Sequence, residues 1–230
     1  MSHPLLVRHP APYSTESLLG YLVRLTGANG YASPKDLYRL AGVAADRITV
    51  RGFDASMLAS ITGHPESACE RIALTRLGSQ PDTAFLLGNK VKVTDLTLWY
   101  ARVCPQCVAE KGFIEAHWLL GFMAACPVHR RAAVWYCEQC KARISWLRSG
   151  LLICQCGAPF SPPRKEDALE PELQLLDIVR RKVLSDPTVP SNTSVPEVQF
   201  AELNLGSTLR LITFLGKRRL GARGCYALCT

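Results

Sequence analysis

Eight residues in the middle of the chain have the types and spacing of metal ligands. They are Cys104-x-x-Cys107, Cys126-x-x-His129, Cys137-x-x-Cys140 and Cys154-x-Cys156. A short gap lets both side chains of a tight turn point at one metal, and a soft sulfur/nitrogen set suits Zn2+ in tetrahedral geometry. Eight such ligands make two sites of four with none left over. The competing readings are buried free cysteines or a disulfide frame, but four paired spacings between Cys104 and Cys156 rarely arise by accident. The spacing therefore predicts two structural zinc ions per chain, held sequentially. Cys104, Cys107, Cys126 and His129 take the first, and Cys137, Cys140, Cys154 and Cys156 the second.

A site filled by four protein ligands leaves no position for water, so these sites read as scaffolding and not as catalysis. A zinc deaminase would need His-x-Glu and Pro-Cys-x-x-Cys. Here His129 is followed by Arg130 and Arg131, His117 by Trp118 and Leu119, and Val103 precedes Cys104. No Ser-His-Asp set or P-loop is evident either, and the chain reads as non-enzymatic. The order of the four pairs also resembles the cross-braced RING of ubiquitin ligases, in which alternate pairs share a metal. The chain departs from it in the long gap between His129 and Cys137 and in the single residue between Cys154 and Cys156. His117 is a rival to His129 but has no cysteine paired with it.

The elements around these ligands read as mainly α. Pro4, Pro10 and Pro12 keep the lead-in extended. A helix is expected from about Ser14, carrying Leu18, Leu22 and Leu25 and ending at Gly27 and Gly30. Ser33-Pro34 starts a second, with Leu37 and Leu40, that stops at Gly42. Asp54 caps a short helix with Met57, Leu58 and Ile61. After a Thr62-Gly63-His64 turn, Pro65 opens another that carries Ala68, Ile72 and Leu77. That pair has the outline of a helix-turn-helix, an outline any αα-hairpin shares. Arg71 and Arg76 could reach phosphates from it. Residues 79–95 read as loop or extended chain, 115–124 as an apolar helix, and 142–153 as a short hairpin. Ser161 to Lys165 is a linker, Pro171 to Leu184 a helix, and 186–196 a second linker. Phe200 to Leu220 is a helical region broken at Gly206 and Gly216. The division is an N-terminal helical domain over 1–98, tandem zinc fingers over 99–160 and a C-terminal helical region over 161–230. The zinc region alone is small for a core held by burial, so ligation is expected to decide its folding.

Composition fits a globular chain of 230 residues, 48% hydrophobic and 20% charged. A net charge of +8 and a pI near 9.1 favour an anionic partner such as nucleic acid. The cluster Lys217, Arg218, Arg219 and Arg223 is the sequence's candidate for phosphate contact. No apolar run is long enough for a membrane span. Zinc-type cysteine spacing with no export signal predicts a reducing, cytoplasmic setting. Cys69 reads as a small buried apolar residue, and Cys225 and Cys229 receive no role.

These pieces resemble the TniQ (TnsD-like) transposition proteins. The carriers are Glu16-Ser17-Leu18-Leu19-Gly20-Tyr21-Leu22-Val23-Arg24-Leu25 with Asn29-Gly30, then Arg102 to Cys107, Trp118, Ala125 to His129 and Cys137 to Cys140. The resemblance covers residues 10–160. Where that family usually has glycine after the histidine, this chain has Arg130. The resemblance implies a helix-turn-helix region, two zinc fingers, a further helical region and a target-selection adaptor. Such a protein links a target-bound component, DNA-bound or an RNA-guided CRISPR effector, to an AAA+ ATPase that recruits the transposase. A chain this short is expected to lack the long C-terminal DNA-reading region of some relatives. A RING-like ubiquitin-ligase zinc module and a helix-turn-helix transcription regulator with structural zinc are the other readings. The sequence leaves open the targeting mode and the oligomeric state, a homodimer included.

Overall fold

The computed structural model describes residues 5–42, 55–77, 80–160, 169–185 and 202–224, without the side chains of 75–77, 81 and 215–224. Among these the fold is mainly helical with two small sheets. The expected linkers, Cys225 and Cys229 lie outside the described residues.

Helix α1 (Leu18–Ala28) is the centre of the core, with Leu18, Leu19, Tyr21, Leu22, Val23 and Leu25 all buried. It starts later than expected, because Ser17 and not Ser14 is the cap. Ser17 Oγ accepts from the Gly20 N–H at 3.0 Å. The residues before it are engaged elsewhere. Ser17 N donates to Ile114 O at 2.8 Å and Ala116 N donates to Thr15 O at 2.9 Å. Glu16 pairs with Glu115 in an isolated antiparallel bridge. Gly20 is required by this approach, since a Cβ there would lie 2.8 Å from Ile114 Cβ and 2.6 Å from Ser17 Oγ.

Helix α2 (Lys35–Leu40) follows the Ser33-Pro34 signal, and Gly42 comes just after it at φ 71°. Helices α3 (Ala55–Thr62) and α4 (Glu66–Ile72) flank Gly63, also at φ 71°. Leu77, expected on α4, lies beyond its end. Ala73 turns extended and leads into β1 (Thr75–Leu77), which pairs with β2 (Gln80–Leu86) and β3 (Asn89–Lys92) in an antiparallel sheet of order β1-β2-β3. The β2–β3 turn uses Leu87 and Gly88, both with positive φ.

Helix α5 (Pro105–Lys111) opens the ligand region. The expected apolar helix over 115–124 is only a 3-10 turn, Ala116–Leu119. Its flanks are held instead by Thr97 N donating to Leu119 O at 2.7 Å and Gly121 N donating to Asp95 O at 2.8 Å. Strands β4 (Ala125–Cys126) and β5 (Arg131–Ala132) then form a two-residue ladder. The expected hairpin over 142–153 is not formed. Buried Arg148 gathers that loop, donating from Nη1 to Ser145 O at 2.8 Å and from Nε to Gly150 O at 3.1 Å. Burial pushes its guanidinium down to about 9.

Helix α6 (Glu170–Leu184) matches its expected span closely. Helix α7 (Leu205–Gly224) runs through both glycines read as breaks. Gly206 serves close approach, since a Cβ would sit 2.8 Å from Lys90 O on β3. One buried cluster extends from Leu6 to Leu209 and includes Cys104, Cys107 and Cys126. No helix among the described residues is long and apolar enough to cross a membrane.

Candidate metal centres

Each ligand pair sits on a turn whose backbone aims it. Cys104 is the N-cap of α5, Pro105 occupies the first turn, and Cys107 follows within it. Cys126 ends β4, and the return into β5 is closed by Arg130 N donating to Cys126 O at 2.8 Å. The His129 N–H also donates to Cys126 Sγ at 3.3 Å. The third pair repeats this turn, with Lys141 N donating to Cys137 O at 2.9 Å, and Gly157 N donates to Cys154 O at 2.9 Å. Arg130, Lys141 and Gly157 all have positive φ, at 55°, 59° and 86°. A side chain in that region costs roughly 1–2 kcal/mol, which is why glycine suits the position. Arg130 adopts the same turn without it, and its guanidinium pairs with exposed Glu170 at the start of α6.

The eight residues fall into two groups, Cys104/Cys107/Cys126/His129 and Cys137/Cys140/Cys154/Cys156, with ligand atoms within 4.8 Å of one another in each. First and second pairs therefore close together, as do third and fourth. The cross-braced RING arrangement is not formed. In the first group Cys107 Sγ lies 3.4 Å from Cys126 Sγ, and His129 Nδ1 lies 3.5, 3.2 and 3.6 Å from the sulfurs of Cys104, Cys107 and Cys126. In the second, Cys137 to Cys156 and Cys140 to Cys154 are each 3.7 Å. A tetrahedral zinc with ordinary bond lengths places sulfurs about 3.8 Å apart and sulfur and nitrogen about 3.6 Å apart. Both clusters are compatible with a metal ion of that size and preference.

Within the first cluster the thiols compete, and hydrogen bonds from Cys107 and Cys126 pull the Cys104 thiol down to about 2. Hydrogen bonds donated to neighbouring Cys104 and Cys126, with burial, push the Cys107 thiol up, and the bond to Cys104 pushes Cys126 up to about 11. Three thiols this close cannot all ionise by themselves. In the second cluster the Cys140 backbone N–H pulls Cys137 down to about 7, whereas burial pushes Cys154 up to about 12.

Sequence reasoning missed one supporting residue. His129 Nε2 lies 2.9 Å from Glu110 Oε1, so the nitrogen facing away from the thiols donates to a carboxylate. Such a partner fixes the tautomer and orientation of a ligating imidazole. The signal was present, since Glu110 is three residues after Cys107 on the same helix. Glu110→Gln is expected to lower zinc affinity at the first site about 10- to 100-fold, read by competition with a chromogenic chelator. An affinity equal to the parent's would remove Glu110 from the site.

The rival His117 is buried and lies 3.9 Å from Glu115, outside both clusters, and burial holds its imidazole well below the usual range. Cys69 is buried in the main core. Lys217, Arg218, Arg219 and Arg223 fall on the last turns of α7, where side chains are not described.

The TniQ family model matches residues 7–132, more than half of the chain and continuous from the lead-in to β5. The chain belongs to the TniQ family. No curated protein matches it. The TniQ match takes in the first cluster and α1, and stops before the second cluster. Its opening motif has a physical basis here. Ser17 caps α1, Gly20 admits Ile114, and Glu16 is held by Arg24 through Oε2 to Nη2 at 2.6 Å. The motif clamps the TniQ N-terminal helix onto the segment between the two halves of the first cluster.

Separate clusters make a specific stoichiometric prediction. The parent chain is expected to carry two zinc ions and the Cys140→Ser/Cys156→Ser double variant one, by metal analysis of purified protein. Both substitutions lie in one sequential site, whereas cross-bracing would divide them between two sites and empty both. A ratio near zero in a soluble double variant would refute sequential pairing.

Proposed function

We propose that this transposition-associated TniQ protein is a non-enzymatic adaptor that links a target-bound component to an AAA+ transposition ATPase, with two structural zinc ions setting its shape. The family match over residues 7–132 carries the reading. Two clusters whose four ligands each close on one another support a scaffold. The ligands assigned are Cys104, Cys107, Cys126 and His129, then Cys137, Cys140, Cys154 and Cys156.

Docking falls to α2, α3 and α4, because α1 is consumed by the core. Nucleic-acid contact is assigned to Lys217, Arg218, Arg219 and Arg223 and not to α4. The exposed residues of α4 include Glu66, Glu70 and Arg71, two carboxylates against one cation. That is a poor surface for phosphate. The test is co-elution of the purified chain with the AAA+ ATPase of its own element, with nucleotide and target DNA present. Separate elution under every condition would refute the adaptor role.

A further inference from the structure

The face beside the second cluster gathers aromatic rings and two arginines, one of which, Arg102, also donates from Nη1 to Gly121 O at 2.6 Å. Tyr100 is 43% exposed and Tyr136 41%, and Trp99, 71% exposed, directly precedes Tyr100 in the chain. Arg143 gathers the group, with its guanidinium 5.1 Å from the Tyr100 ring centre, 5.9 Å from Trp135 and 6.0 Å from Tyr136. Arg143 Nε also donates to Tyr136 Oη at 3.2 Å. Arg102 lies 4.6 Å from the Trp135 ring centre. The backbone is fixed beneath them. Thr97 Oγ1 donates to Tyr100 O at 2.8 Å, and Tyr100 bridges to Ser145. These contacts hold the backbone at Tyr100, which lowers the ordering cost of binding there.

We propose that Trp99, Tyr100, Arg102, Trp135, Tyr136 and Arg143 form a binding surface for unpaired bases of single-stranded nucleic acid. Exposed rings beside planar guanidinium groups present stacking platforms to a strand whose bases are free, and any base has a π-face to offer. A duplex hides those faces. Charge agrees in sign, with Arg102, Lys141 and Arg143 against Glu138 in these two segments, within a chain of net charge +8. The charge is modest, and four thiolates around Zn2+ at the adjacent cluster would carry a net negative charge next to Lys141. Stacking therefore dominates over phosphate contact here. This surface uses residues other than the basic ones assigned on α7, and it stands whether or not the ATPase link holds.

The experiment measures binding of the full, zinc-loaded chain to a labelled oligothymidylate of about 15 nucleotides and to a duplex of the same length, the strand being long enough to span an ordinary single-strand site. Trp99→Ala is expected to weaken single-strand binding about 5- to 100-fold, the loss of one stacked base, with duplex binding unchanged. Trp99→Phe should retain most of the affinity. Arg143→Lys keeps the charge but loses the guanidinium plane, and should also weaken the single strand. The log–log salt slope should be nearly the same for the parent and Trp99→Ala, since a stacked ring neutralises no phosphate. Zinc content at the parent level confirms that the variants are folded. Unchanged single-strand binding in both Trp99→Ala and Arg143→Lys would overturn the proposal. So would equal losses on strand and duplex. If Trp99→Ala abolishes co-elution with the ATPase while leaving oligonucleotide binding intact, the face is a protein-docking surface and the proposal fails.

Discussion

Cys107→Ser is expected to abolish the folded state of the chain and not only the first metal site. Cys104, Cys107 and Cys126 belong to the same buried cluster as α1, α6 and the start of α7. Structural zinc contributes on the order of 10–16 kcal/mol to the fold that holds it. A domain has roughly 5–15 kcal/mol of net stability, so the loss matches or exceeds the whole. The variant should be insoluble or lack a cooperative thermal transition. The second cluster gives the contrast. Among the described residues Cys137 and Cys154 form a small cluster of their own with Ala158 and Phe160, and Cys140 and Cys156 are exposed. Cys140→Ser should release its zinc yet leave the main transition in place. A Cys107→Ser protein that melts cooperatively within a few degrees of the parent would contradict the assignment of the first site to the core.

Arg24→Ala should destabilise the chain strongly although Arg24 lies away from both clusters. Glu16 is fully buried, and its carboxylate is held by Arg24 through Oε1 to Nε at 2.8 Å and Oε2 to Nη2 at 2.6 Å. Removing the cation leaves a buried carboxylate uncompensated, which costs about 3–5 kcal/mol. Burial already pushes the Glu16 carboxyl above its ordinary 4.5 despite Arg24. The sign of the pH dependence follows from that direction. A carboxyl with a raised folded value binds more protons folded than unfolded, so its contribution to stability falls as pH rises above 4.5 and through the folded value. Without Arg24 that rise is larger. The deficit of Arg24→Ala should therefore be greatest at neutral pH and shrink on acidification toward 4.5. Urea unfolding at several pH values measures this, and a deficit independent of pH would assign the loss to packing of the arginine stem alone. Arg24 also stacks over Tyr13 and Tyr21, 4.9 and 5.2 Å from the ring centres.

The two Cys/His clusters were legible because their spacing is local, and a knuckle turn fixes its own geometry over four or five residues. α1, α2 and α6 were legible for the same reason, from a cap, a period and a stop. What failed to show was set by distant partners. Residues 115–124 have the apolar content of a helix, but Asp95 and Thr97 take the backbone groups flanking its single 3-10 turn. The β2–β3 hairpin was hidden by Pro81 in a strand and by Leu87 at a positive φ, a position where asparagine or glycine would have announced the turn. Gly206 looked like a helix break because sequence cannot distinguish a weak point from a site of close approach to Lys90. Nothing local in the sequence marks Arg148 as buried, yet its guanidinium and three carbonyls replace the hairpin expected there.

The most direct test of the adaptor account is a reconstituted transposition reaction with the transposase, the AAA+ ATPase and the target-recognition component of the same element. Insertions are counted at the programmed site and elsewhere, with and without this chain. The account predicts that omission abolishes insertion at the programmed site, and that adding the zinc-loaded protein restores it. Targeted insertion at the same frequency without the chain would contradict the account.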